Sequence, residues 1–96
     1  MSSPESTAPD LKALIGEQVV VDTKGPFVYI GMLTRVSPGT VTLSEVDVHD
    51  LRESVSSIDR YLIESVKHGV RVNRHSVQVL AREVVSISRL RDIVPY

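Results

Sequence analysis

Apolar residues recur along the chain at a period of two in most segments and at a helical period in one. From Glu17 to Thr23 the triplet Val19-Val20-Val21 has the β-branched density of a strand. Its two faces differ little in polarity, so the pattern predicts cover on both. Lys24-Gly25-Pro26 predicts a turn. Phe27 to Val36 predicts a longer strand, with Phe27, Tyr29, Gly31, Leu33 and Arg35 on one face and Val28, Ile30, Met32, Thr34 and Val36 on the other. Gly31 inside it marks a bend, a bulge or a close backbone approach. Ser37-Pro38-Gly39 predicts the next tight turn. Thr40 to Val46 follows as a third strand, with Val41 and Leu43 opposed to Thr40, Thr42 and Ser44. These three strands read as a meander.

The middle of the chain changes period. Asp47 to Ser57 is polar and acidic, whereas Ser56 to Gly69 predicts a helix with Ile58, Tyr61, Leu62, Ser65 and Val66 on one face. Ser56 with Asp59 resembles a capping box, and Gly69 before Val70 suits a glycine stop. A strand through Tyr61-Leu62-Ile63 is the competing reading, because Ile63 lies off the helical stripe. After a turn from Val70 to Arg74, two strands follow at about Ser76 to Leu80 and Glu83 to Leu90, with Ala81-Arg82 as a sharp corner. At the start, Pro9 and Asp10 open a short helix over Leu11 to Ile15, which Gly16 closes. Residues 1–9 and 92–96 read as tails around one domain over 10–91, and the segment from about 47 to 75 reads as an insert.

Composition narrows the classes. The chain has 96 residues, so its core is thin and an oligomer or partner is expected to supply part of its stability. It has no cysteine, which excludes disulfides, thiol catalysis and cysteine-zinc sites, and fits a reducing compartment. A net charge of −1 argues against coating nucleic acid or membrane by bulk electrostatics. No apolar run approaches a bilayer span, so no membrane role and a cytoplasmic location are expected.

The order of elements and several local words resemble the Sm-like family. Leu14-Ile15-Gly16-Glu17-Gln18-Val19-Val20-Val21, Tyr29-Ile30-Gly31-Met32-Leu33 and Val41-Thr42-Leu43-Ser44-Glu45-Val46 are similar to its first motif. Val77-Gln78-Val79-Leu80-Ala81-Arg82-Glu83-Val84-Val85-Ser86-Ile87 resembles an altered form of its second. The resemblance is to a small, bacterial-type member with a helical insert between strands three and four. It implies a mainly β fold with short helices: a five-stranded, strongly bent, partly open antiparallel barrel with an N-terminal helix and an inserted helix. It also implies a homo-oligomeric ring in which the last strand pairs with the fourth strand of the next subunit, and single-stranded RNA as the partner, without DNA specificity. A valine-rich last strand without proline fits such pairing, since unprotected edges pair. Val84, Val85 and Ile87, with Val77 and Val79 of the preceding strand, are the interface candidates.

Chemistry-bearing residues divide by charge along the chain. Between Arg60 and Arg82, Arg60, Lys67, Arg71, Arg74 and Arg82 face Glu64 alone, with His68 and His75 interspersed. Between Ser44 and Asp59, five carboxylates face only Arg52. One reading makes the basic stretch a phosphate-contacting surface, with Lys67, Arg71, Arg74, His75 and the corner residue Arg82 as RNA-binding candidates. The other pairs the two segments with each other or across an interface. Ser37 stands where the family carries an Asp, and Ala81-Arg82 where it carries Arg-Gly, so a protein-interaction module that has lost RNA reading is the alternative function. Asp47-Val48-His49-Asp50 offers oxygen and imidazole ligands, which His68 or His75 would have to complete, but it forms no recognised metal motif. The expected metal and cofactor complement is therefore none. No nucleophile elbow, P-loop or dinucleotide glycine pattern is present, so a non-enzymatic protein without catalytic residues is expected.

Overall fold

The computed structural model describes residues 11–53 and 57–94. The expected tail over 1–9, the capping residue Ser56 and Tyr96 lie outside the described residues. Leu11 and Lys12 are helical, and turn bonds from the Leu14 N–H to the Leu11 carbonyl (3.0 Å) and from the Ile15 N–H to the Lys12 carbonyl (3.1 Å) carry the chain to Gly16. Gly16 takes φ 93°, a region that glycine enters freely. Its N–H donates to the Leu33 carbonyl at 2.8 Å, which latches this segment to the sheet.

Five strands follow: β1 (Gln18–Thr23), β2 (Phe27–Val36), β3 (Thr40–Asp50), β4 (Arg74–Leu80) and β5 (Val84–Arg89). Helix α1 (Ile58–His68) lies between β3 and β4. The corner between β4 and β5 is one 3₁₀ turn, Ala81–Glu83, and a second, Leu90–Asp92, follows β5. The strands form one antiparallel sheet in the order β4-β3-β2-β1-β5, so β4 and β5 are its edges. Both faces are covered, as the Val19-Val20-Val21 pattern predicts. Val19, Val21, Leu33, Leu43 and Val46 are fully buried in one apolar cluster. Val20, Val28, Ile30 and Leu90 form the other, against which Ile58, Tyr61 and Leu62 of α1 pack. Burying each such side chain contributes about 1.5–3 kcal/mol, and α1 supplies that cover for the outer face.

The helix differs from expectation at its start. Ser57, in extended conformation, caps it: its hydroxyl accepts the Arg60 N–H at 3.2 Å. Asp59 in the first turn and Lys67 and His68 in the last suit the helix dipole. Gly69, at φ 90°, ends it as predicted, donating its N–H to the Ser65 carbonyl at 3.0 Å. The strand reading of Tyr61-Leu62-Ile63 is not realised.

The larger correction is β3, which continues past Val46 to Asp50. The acidic segment read as the start of the insert therefore begins as strand, paired through Asp47↔Ile30, Val48↔Tyr29 and His49↔Val28. The ladder slips beside Gly31, between Ile30↔Asp47 and Met32↔Ser44, where Glu45 has φ 51°, and again between Leu33↔Leu43 and Arg35↔Thr42. Gly31 permits this close approach: a Cβ on it would stand 3.0 Å from the Ser44 carbonyl oxygen and 3.0 Å from a Val46 methyl. Among the described residues, no helix is long and apolar enough to cross a membrane.

Candidate functional site

The slip at Glu45 decides where the polar residues of β3 point. Val41 and Leu43 face the first apolar cluster, and after the extra residue so do Val46 and Val48. Asp47 and His49 therefore face α1. Asp47 is 7% exposed, yet its carboxylate is satisfied. The Tyr61 hydroxyl donates to Oδ2 at 2.7 Å and Asn73 Nδ2 to Oδ1 at 3.2 Å. Burial, with the Asp47 carboxylate beside it, pushes the Tyr61 phenol far above its ordinary pKa, so it stays a donor. The His49 ring stacks on Tyr61, centroids 3.8 Å apart and planes 13° from parallel. His49 Nε2 is buried and is the one such side-chain nitrogen or oxygen without a partner among the described residues.

Asn73 closes the arrangement. Its side-chain amide pairs with the backbone of Val48 in both directions, accepting the N–H at 3.0 Å and donating to the carbonyl at 3.1 Å. Its own N–H donates to the Val46 carbonyl at 2.8 Å. One side chain thus prolongs the β3–β4 ladder by a step and braces Asp47. Between β3, α1 and the link to β4 lies an open cleft of about 650 Å³. Arg60, Glu64 and His68 line it from α1, and Arg71 and Asn73 from the link.

The carboxylates of the cleft are mostly engaged. Asp50 takes the Arg52 guanidinium in a fork, Nε at 3.0 Å and Nη2 at 2.8 Å, together with the Arg52 backbone N–H at 2.9 Å. These bonds, the Arg52 side chain's first, hold its carboxyl below the usual range. Glu64 lies 3.5 Å from His68. Among the described residues, neither Arg60 nor Arg71 is in a salt bridge. The basic and acidic segments thus share this cleft and also pair at His75 and Glu45, 3.3 Å apart. No three His, Asp or Glu side chains gather as metal ligands among the described residues.

The RNA-binding candidates fall in two places. Arg82 is exposed in the 3₁₀ corner, which is tied to the β2–β3 turn by the Ala81 N–H on the Gly39 carbonyl (2.9 Å) and to Lys24 by its N–H on the Glu83 carbonyl (2.9 Å). Arg74 and His75 begin β4, whose six steps of about 3.3 Å put them about 20 Å from that corner. Lys67, on the last turn of α1, and Arg71 are exposed near the β4 start. The edge candidates divide too. Val79 is buried and Val77, Val84 and Ile87 pack against the first cluster, while Val85 is 65% exposed.

No protein-family model and no curated protein matches the chain. Its backbone is similar to that of a Pyrococcus abyssii Sm protein solved in complex with a uridine heptamer, with a TM-score of 0.58 over 92% of this chain and 99% of that one. The chain has an Sm-like fold. The sequences are 15% identical. The Sm-like architecture is also similar to a chain of the NatC complex bound to CoA, with a TM-score of 0.57, 20% identity and coverage of 86% and 87%. A chain of the NatC complex bound to Gag peptide and CoA is similar with a TM-score of 0.53, 22% identity and coverage of 80% and 86%.

Of the cleft, sequence reasoning singled out Asp47, His49 and Asp50 but missed Tyr61 and Asn73 as their partners. Tyr61 was legible only as one residue of an apolar stripe, and Asn73 only as a turn former.

Proposed function

We propose that the chain is a non-enzymatic Sm-like subunit of the small, bacterial-type kind, with α1 as its insert, that assembles into a homo-oligomeric ring and binds single-stranded RNA. The observation that carries this reading is the pair of sheet edges, β4 and β5, at opposite ends of the strand order. β4 offers its backbone with Gln78 and the 42%-exposed Leu80 outward, and β5 does so with Val85. Because Val77, Val79, Val84 and Ile87 turn inward, pairing would run through main-chain hydrogen bonds, with the valines shaping the strands from behind. The uridine-bound Sm neighbour supports RNA as the ligand, and Arg82, exposed beside the Ser37-Pro38-Gly39 turn, is the contact proposed for it.

Light scattering at micromolar concentration should return a multiple of the 10.6 kDa subunit mass, and a monomer mass would overturn the ring. Labelled U-rich and A-rich oligonucleotides should bind with salt-dependent affinity that falls in Arg82→Ala. Absence of binding at low salt would overturn the RNA reading. A protein-interaction module with the same barrel is the second reading, favoured by Ser37 and Ala81 at the departures from the family pattern and by the likeness to chains of the NatC complex.

A further inference from the structure

We infer that the link between α1 and β4 is itself a contact between copies of the chain: residues 72–74 of one copy seat on the turn that follows β5 of the next. The inference rests on the edge pairing proposed above and adds to it a contact made by side chains.

Strand parity sets where the link arrives. Residues opposite each other in an antiparallel pair point to the same face. Ile87 of β5 and Val77 and Val79 of β4 all turn toward the first apolar cluster, so Ile87 of one copy opposes Val77 or Val79 of the next. Counting on from Ile87↔Val77 sets Leu90 beside Arg74 and Asp92 beside Val72. The other register, Ile87↔Val79, sets Asp92 beside Arg74. In both, the turn Leu90–Asp92 meets the start of β4 or the link just before it.

The two surfaces suit each other. Val72 is 44% exposed and Val94, just past the turn, 62% exposed, and neither packs in an apolar cluster. Arg74 is in no salt bridge among the described residues, and its guanidinium donates to the Asn73 carbonyl. On the facing turn Arg89 and Arg91 are matched in number by Glu17 and Asp92. Glu17 is shared by both arginines, at 2.8 and 3.3 Å, whereas Asp92 has Arg89 at 3.9 Å and is 60% exposed. That carboxylate is open to a second guanidinium, and an arginine fork matches it. The link is also fixed before the copies meet. Asn73, between Val72 and Arg74, makes three hydrogen bonds to the backbone of Val46 and Val48, so little ordering is left to oppose association. At the other end of the same edges, exposed Leu80 of β4 approaches Val85 of β5, so apolar side chains meet at both ends of the paired strands.

The chain has no cysteine, so introduced pairs read the contact directly. Val72→Cys with Asp92→Cys, and Arg74→Cys with Asp92→Cys, are oxidised in the full chain and run on a non-reducing gel. One of the two should give covalent multimers, and which one reports the register, since a disulfide needs Cα atoms within about 7 Å. Val72→Asp and Asp92→Arg, each folded by circular dichroism, should raise the concentration at which the assembly dissociates by about tenfold, read by light scattering on dilution. A monomeric parent chain overturns the edge pairing and this contact with it. A multimeric parent that neither cysteine pair cross-links, or that Val72→Asp and Asp92→Arg leave as stable as before, overturns this contact alone.

Discussion

Replacing Tyr61 with Phe isolates one hydrogen bond. The ring, its stack on His49 and its packing against Val20, Val28 and Ile30 all remain, and only the hydroxyl that donates to Asp47 Oδ2 at 2.7 Å is lost. Asp47 is 7% exposed, so water cannot readily replace that donor, and Asn73 already serves the other oxygen. A hydrogen bond to a charged group contributes about 1.5–3 kcal/mol, and leaving its acceptor buried forfeits that amount. For a 96-residue chain, about 2 kcal/mol corresponds to a fall in Tm of roughly 10 °C. Because the phenol pKa is driven far upward, the loss should be the same from neutral pH to about pH 9. Urea denaturation of Tyr61→Phe, Asp47→Ala and the double variant measures it, and the cycle should give a coupling of about 1 kcal/mol or more. A destabilisation below about 0.5 kcal/mol, or no coupling, would refute the assignment of this bond as the clasp between α1 and β3.

Three further outcomes follow from the same geometry. Gly31→Ala should cost about 1–3 kcal/mol in denaturant unfolding, because the new methyl meets the Ser44 carbonyl and Val46 across the slipped ladder. Ser57→Ala should cost about 1 kcal/mol, read by the same unfolding curves, through the cap on Arg60. Glu17 accepts Arg89 at 2.8 Å and lies 3.3 Å from Arg91, contacts that lower its pKa, Arg89's hydrogen bond most. A carboxyl lowered in the folded state stabilises above its unfolded pKa and loses that contribution as pH falls through the folded value. The denaturation midpoints of the parent chain and Glu17→Gln should therefore differ at neutral pH and converge on acidification below about pH 4.

The strands of the meander, the helix and the corner were legible because each rests on local pattern: β-branched density at Val19-Val20-Val21, the stripe from Ile58 to Val66, and the two residues between the last strands. What escaped the pattern is non-local. Asn73 acts as a strand residue through its side chain, so nothing in its neighbours marks it as more than a turn. The Tyr61–Asp47 bond spans fourteen residues and depends on where α1 lands. Val77, Val79, Val84 and Ile87, read as edge contacts on β4 and β5, turn inward and only Val85 of that set outward, a division that depends on how the two strands curl over the first cluster.

The bulge was present in the sequence as a contradiction. Strict alternation from Val41 and Leu43 would send Asp47 and His49 into the first apolar cluster and turn Val46 and Val48 outward, and an unpaired buried carboxylate costs several kcal/mol. The segment Val46-Asp47-Val48-His49 fits a strand only if parity changes once after Leu43. Gly31 on the partner strand is where a backbone can come close enough to absorb the extra residue, and the ladder slips there. Glu45 takes φ 51° without being Gly or Asn, so its own identity gave no sign of it. That single residue gives β3 two roles: its valines complete the first apolar cluster, while Asp47 and His49 build the wall of the cleft. Arg74, paired with Val46 across the same stretch, starts β4 directly after Asn73. The cleft and the β4 edge are therefore joined through two consecutive residues.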